Sequence, residues 1–119
     1  MSLFDLTGRV VVVTGGNGGI GLGMAQGMAA AGASVSIWGR NAEKNAAALK
    51  TLANGKCEAR QCDVSDAASI ERAFNETLAK YGRVDGCFAN AGIGGGGRSS
   101  FIDRPQSEWR EMLATNLDG

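Results

Sequence analysis

The sequence predicts an α/β fold, a doubly wound parallel sheet with helices on both faces. Three observations predict it. The β-branched run Val10 to Val13 stops at a glycine-packed turn, residues 14–21, and a helical pattern opens from that turn. Strand-like and helix-like segments then alternate along the chain, which is the mark of a parallel α/β sheet. Each predicted helix also carries its apolar residues on one face, as a helix lying on a sheet must.

The elements follow in order. Strands are predicted at about 9–14, 34–39, 56–61 and 84–89. Val10 to Val13 are apolar on both faces, which suits a strand buried inside a parallel sheet. Between the strands, three sets recur at helical spacing: Ile20, Met24, Met28 and Ala31; Ala42, Ala46, Leu49 and Ala53; and Ile70, Phe74, Thr77 and Leu78. Asn41 and Ser65 are placed to cap the second and third helices, and Gly32, Gly55 and Gly82 fall where helices should end. A last pattern, Trp109, Met112, Leu113, Asn116 and Leu117, begins a fourth helix whose apolar face is still running at the final residue. The glycine run from Gly94 to Ser100 reads as a mobile rim at the carboxyl edge of the sheet.

Composition narrows the function classes. The chain has 119 residues, 12 basic against 12 acidic, and is 44% hydrophobic, so it offers no basic field to a nucleic acid and has room for one domain at most. No run approaches the roughly 18 apolar residues of a membrane span, and no secretory signal is visible, so the cytoplasm is the expected location. Cys57, Cys62 and Cys87 lie in or beside strand-like runs and are expected as reduced, buried thiols. Histidine is absent, which removes histidine-based triads and the common zinc constellations within these residues; no metal is expected.

The glycine turn carries the first chemical signal. Gly15, Gly19 and Gly21 give the spacing Gly-x-x-x-Gly-x-Gly directly after a buried strand. That spacing permits positive φ, close approach of backbone to a pyrophosphate, and tight packing of helix on strand. Ligands of open α/β sheets bind at this edge. No Gly-Lys-Ser/Thr ending follows, so the turn is not a P-loop.

At this point the chain resembles the short-chain dehydrogenases/reductases. The turn Thr14-Gly15-Gly16-Asn17-Gly18-Gly19-Ile20-Gly21 looks like that family's Thr-Gly-x-x-x-Gly-x-Gly signature, and Cys62-Asp63-Val64, Ala89-Asn90-Ala91-Gly92 and Asn116-Leu117-Asp118-Gly119 agree in identity and order. The resemblance implies the amino-terminal part, residues 1–119, of a single NAD(P)-binding Rossmann domain, with strand order 3-2-1-4 and truncated before the remaining strands. It implies cofactor contacts at Gly15, Asn17, Gly18, Gly19, Ile20, Gly21, Arg40, Asp63, Val64, Asn90, Ala91 and Gly92. Asp63 would accept from the adenine amino group with Val64 against the ring; an acidic turn or capping residue is the alternative. Asn90, Ala91 and Gly92 would stabilise the sheet and line the cofactor's ribose.

Cofactor choice is read at the end of the second strand. In dinucleotide folds an acid about twenty residues beyond the glycine turn accepts from the ribose hydroxyls and would repel a 2′-phosphate. Here that position is Gly39, and Arg40 follows with a planar donor set matched to a phosphate, so NADP is expected with NAD as the alternative. Arg40 could instead stack on the adenine or open the next helix. Many NADP-preferring relatives carry a basic residue just before the middle glycine of the turn, where this chain has Gly18.

Asn116 is the catalytic candidate. An asparagine among Met112, Leu113 and Leu117 on a core face needs a partner or a task. In the resembled family this asparagine sits at a helix irregularity and holds a water that connects the active-site lysine to solvent; a satisfied amide at a helix end is the alternative. The family's acid/base pair, Tyr-x-x-x-Lys, does not occur here, because Tyr81 is followed four residues later by Asp85, and Tyr81 reads as packing. The intact protein is therefore expected to be an oxidoreductase that interconverts a small-molecule alcohol and a ketone by hydride transfer, acting as a homo-oligomer. The segment alone is expected to be inactive and to associate. A non-catalytic NAD(P)-binding module is the alternative function. Substrate identity stays open among small alcohols, sugars, steroids and acyl thioesters.

Overall fold

A computed structural model describes residues 3–52, 54–93 and 101–119. Four parallel strands, β1 (Val10–Thr14), β2 (Ser34–Gly39), β3 (Glu58–Gln61) and β4 (Gly86–Phe88), form one sheet in the order β3-β2-β1-β4. The helices are α1 (Gly19–Ala30), α2 (Ala42–Leu49), α3 (Ala67–Tyr81) and α4 (Gln106–Leu113), the last running into a π-helical turn over Ala114–Asp118. The expected strand order and α/β architecture are thus found. The predicted contribution of Ala53 to the second helix and the glycine run 94–100 lie outside the described residues.

Alternation along β1 builds two cores. Val11 and Val13 join Val35 and Ile37 of β2 against Ala25 and Ala29 of α1 and Ala48 of α2. Val12 packs on the other face with Trp38, Cys62 and Ala73 of α3. Full burial of Val12, Val13, Val35 and Ile37 contributes about 1.5–3 kcal/mol each, the main force holding helices on the sheet. The register Val12↔Ser36 and Thr14↔Trp38 brings the ends of β1 and β2 level, so the turns after them open side by side.

Several expected helix faces are rotated. Ile20 is 79% exposed, and α1 instead buries Gly21, Ala25 and Ala29, because only residues that small allow the helix to lie close on the strand. On α2 the buried residues are Asn45 and Ala48, while Ala42 and Ala46 face outward. On α3 they are Ser69, Ala73 and Thr77, with Phe74 and Leu78 partly exposed. Asn41 caps α2 by accepting from the Lys44 N–H. Ser65 does not cap α3: its hydroxyl and N–H both donate to Asp63, and Asp66 caps instead by accepting from the Ala68 N–H. Gly32 and Gly82 turn the chain out of α1 and α3 at φ +102° and +77°, but Gly55 lies beyond the end of α2, which closes at Lys50.

The thiols divide. Cys62 is buried and Cys57 half-buried, whereas Cys87 is exposed on β4, which among the described residues is an edge strand paired with β1. The apolar stripe of the fourth helix is not a core face: Trp109, Leu113 and Leu117 are all exposed, and the buried residue there is Thr115. No described helix is long and apolar enough to cross a membrane.

Candidate functional site

All the turns that matter leave the carboxyl edge of the sheet, and they enclose a cavity of about 290 Å³. Gly15, Asn17, Arg40, Asp63, Val64, Ala91 and Gly92 line it, so seven of the expected contacts are brought together. Gly18, Gly19, Ile20, Gly21, Asn90 and Asn116 are not among the residues that line it. Trp38, Lys44 and Thr115 also line it, and none of these was expected from the sequence.

The turn is built by backbone contact. Gly15 has φ +65° and lies so close to Ala91 that a Cβ would sit 2.9 Å from the Ala91 Cα. Gly21 faces back onto the turn, where a Cβ would collide with the Gly15 carbonyl oxygen and lie 2.5 Å from Asn90 Nδ2. Gly18 is extended, at φ −172°, and precedes α1 without any side-chain cap, and no acidic residue stands in the first turn. The first N–H groups of α1 are therefore left to solvent or to an anion, which the helix dipole favours. Gly19 takes φ +54°. Such a cradle fits the pyrophosphate of a dinucleotide, since backbone donors are exposed where no side chain stands.

The segment after β4 is fastened to this turn. Thr14 Oγ1 accepts from the N–H groups of Asn90 and Ala91, each at 3.0 Å, and Asn90 Nδ2 donates to the Thr14 carbonyl at 3.2 Å. Gly92 comes within reach of Asn116, whose Oδ1 would stand 3.3 Å from a Cβ there.

Charge gathers at one end of the cavity. Arg40 is exposed just past β2. Lys44, one turn into α2, leans over the glycine turn, its Nζ 3.1 Å from the point where a Cβ on Gly18 would be. A cation thus stands beside Gly18 although that position carries no side chain. Asp63 Oδ1 accepts the Ser65 hydroxyl at 2.6 Å and its N–H at 3.0 Å. These bonds, with a smaller contribution from Arg40, hold its carboxyl below the usual carboxylate range.

Asn116 is not buried as the apolar pattern suggested. It is exposed within the π-helical turn, and its amide is satisfied by one residue: Oδ1 accepts the Ile93 N–H at 2.8 Å and Nδ2 donates to the Ile93 carbonyl at 2.9 Å. Tyr81 ends α3, its hydroxyl donating to the Lys56 carbonyl at 2.6 Å. Burial, with the nearby Glu58 charge, pushes its pKa up to about 12, the wrong direction for an acid/base tyrosine.

A family model described as short chain dehydrogenase matches residues 9–119. The chain belongs to the short-chain dehydrogenase family. Among its relatives, the NADP-dependent (R)-specific alcohol dehydrogenase of Lentilactobacillus kefiri is 40% identical, with 96% of this chain and 45% of that protein covered. The NADP-dependent mannitol dehydrogenase of Alternaria alternata is 35% identical, with 98% of this chain and 46% of that protein covered. A short-chain type dehydrogenase/reductase from Mycobacterium marinum superposes with a TM-score of 0.89 at 30% identity, over 98% of this chain and 49% of that one. The 3-ketoacyl-(acyl-carrier-protein) reductase of Brucella melitensis, solved with NADH, gives 0.86 at 29% identity, over 94% of this chain and 46% of that one. This short-chain dehydrogenase chain therefore spans about half the length of these relatives.

Of the residues missed by sequence reasoning, Lys44, Trp38 and Thr115 line the cavity and Asn45 is buried on α2; Thr115 offered no signal, since it lies off the predicted apolar stripe. Lys44 stands four residues after Arg40, one helical turn on, and that spacing could have placed both cations on one rim. Asn45 stands three before the buried Ala48, on a face where only apolar residues were sought. Trp38 offered no signal beyond its place at the end of β2.

Proposed function

We propose that the protein carrying this chain is an NADP(H)-dependent oxidoreductase that interconverts an alcohol and a ketone, with residues 1–119 forming the amino-terminal part of one NAD(P)-binding domain. The observation that carries this reading is the pair of cations, Arg40 and Lys44, at the end of a glycine-built cavity where an acid would otherwise select NAD. Guanidinium and ammonium groups suit the dianionic 2′-phosphate, and Gly39 offers no carboxylate to repel it. The NADP-dependent relatives named above support the same choice.

In this reading the glycine turn and the first N–H groups of α1 hold the pyrophosphate. Arg40 and Lys44 grip the 2′-phosphate. Asp63 and Val64 take the adenine, and Asn90, Ala91 and Gly92 line the ribose. NADP(H), when bound, supplies or accepts the hydride. Asn116 fixes the backbone at Ile93 and, at its π-helical turn, holds water for proton exchange with solvent; such irregular turns recur at functional sites. The exposed Phe88, Trp109, Leu113 and Leu117 are covered by further chain or a second subunit in a homo-oligomer.

Titrating the natural protein with NADPH and NADH tests the assignment. NADPH is expected to bind more tightly, and equal affinity or a preference for NADH would overturn it.

A further inference from the structure

The end of β2 is crossed by an amide pair. Asn17, in the glycine turn, donates through Nδ2 to Asn45 Oδ1 at 2.8 Å. Asn45 is only 3% exposed, and its Nδ2 in turn donates to two backbone carbonyls, Gly39 at 2.9 Å and Arg60 at 3.1 Å. One buried side chain on α2 thereby ties together the glycine turn, the end of β2 and the end of β3.

Gly39 lies beneath this hydrogen bond. A Cβ built on Gly39 would collide with Asn17 Nδ2 and stand 2.5 Å from Asn45 Oδ1. Gly39 is not among the glycines with positive φ, so the obstacle is volume alone and not backbone conformation. The two obstructing amides are unequal. Asn45 cannot retreat without giving up its bonds to two backbone carbonyls from a buried position. Asn17 is half-buried and makes one side-chain bond, so it is the group that must give way.

We infer that the Asn17–Asn45 pair is a specificity latch: it fills the volume that an acidic side chain at position 39 would need, and so bars this chain from the carboxylate that recognises an unphosphorylated ribose. The inference rests on the assignment of the cavity to the adenosine end of a dinucleotide. Its consequence is that cofactor choice is coupled to the shape of the glycine turn. A carboxylate introduced at 39 displaces Asn17, and the pyrophosphate cradle shifts with it.

The test is a cycle of Gly39→Asp, Asn17→Ala and the double variant in the natural protein, with NADPH and NADH affinities read by fluorescence titration and thermal midpoints recorded beside them. Gly39→Asp alone is expected to weaken both dinucleotides about tenfold, with no gain for NADH, and adding Asn17→Ala should recover NADH binding about tenfold over the single variant. Should Gly39→Asp fail to fold, Gly39→Ala carries the test. Its Cβ alone meets the pair, and its loss of affinity should be relieved by Asn17→Ala. A Gly39→Asp protein that gains NADH unaided, or effects of positions 17 and 39 that simply add, would overturn the latch alone. A parent protein that binds neither dinucleotide would overturn the reading of the cavity and the latch with it.

Discussion

Thr14 and Asn90 clasp each other across the carboxyl edge of the sheet: the Asn90 N–H reaches Thr14 Oγ1 at 3.0 Å, and Asn90 Nδ2 reaches the Thr14 carbonyl at 3.2 Å. Both lie beyond or at the last rung of their strands, since β1 ends at Thr14 and β4 at Phe88. The clasp therefore continues the sheet by side chains where the ladder stops. It also brings Ala91 against Gly15, so one wall of the cavity is set by it.

Removing the hydroxyl should be felt in stability. Thr14→Val keeps the shape but takes the acceptor from the Ala91 N–H and leaves the Asn90 N–H with the Phe88 carbonyl alone, and it should destabilise by about 1–3 kcal/mol. Thr14→Ser keeps the oxygen and should stay within about 1 kcal/mol of the parent. Denaturant unfolding of the three proteins checks this; equal midpoints for valine and serine would show that the clasp contributes nothing.

The glycines of α1 should separate by what surrounds them. Gly21 has no room for a Cβ, so Gly21→Ala must push apart the turn and Asn90, lowering both stability and cofactor affinity. Gly27 has nothing within 4 Å of that point and ordinary helical backbone, so Gly27→Ala should stabilise by about 0.5–1 kcal/mol. Thermal melts with and without NADPH distinguish them.

The two cations make a graded prediction. Arg40→Ala should weaken NADPH by about 1.5–3 kcal/mol, the loss of a charge-assisted pair, and leave NADH nearly unchanged. Lys44→Ala should follow the same selectivity with a smaller loss, about 0.5–1.5 kcal/mol, because an exposed ammonium is a hydrated point charge. Equal losses for both dinucleotides on either substitution would remove that residue from the 2′-phosphate site.

Tyr81 gives a prediction at high pH. Its hydroxyl must lose both a proton and the hydrogen bond to the Lys56 carbonyl to ionise, and its folded pKa stands at about 12 against an ordinary 10. A raised folded pKa contributes stability in full below the ordinary value, and that contribution is lost as pH rises from about 10 towards 12. Tyr81→Phe should therefore lose stability less steeply across that range than the parent. The phenolate absorbance removed by the substitution should titrate near the upper end; a transition near 10 would show the hydroxyl to be free.

The legible part of the fold was the part written in apolar runs. Val10 to Val13 and the four strand positions came from strand-like runs and the glycines around them, whereas the order of the strands came only from the family resemblance. Helix faces were misplaced by a residue because α1 and α3 dock through Gly21, Ala25, Ser69 and Ala73, whose small size reads as no pattern. Asn45 was invisible for the complementary reason. It is a buried polar residue whose partners, Asn17, Gly39 and Arg60, lie on three other segments, and only the assembled sheet brings them to it. Ser65 looked like a cap until Asp63 was seen to hold it.

Asn116 supplies the last prediction. Its amide satisfies both backbone groups of Ile93, and it does so from a π-helical turn exposed to solvent, so it can hold a segment of the cavity wall and still exchange water. If the proposed proton path holds, Asn116→Ala should slow turnover of the natural protein about tenfold or more, while NADPH affinity stays close to the parent's. Asn116→Asp keeps the acceptor for the Ile93 N–H but sets an anion against the Ile93 carbonyl, and should share the defect. Steady-state rates across pH, measured with cofactor affinity, separate the two roles. A fall in affinity equal to the fall in rate would make Asn116 a support for the wall alone, and full turnover of the alanine variant at every pH would remove it from the reaction.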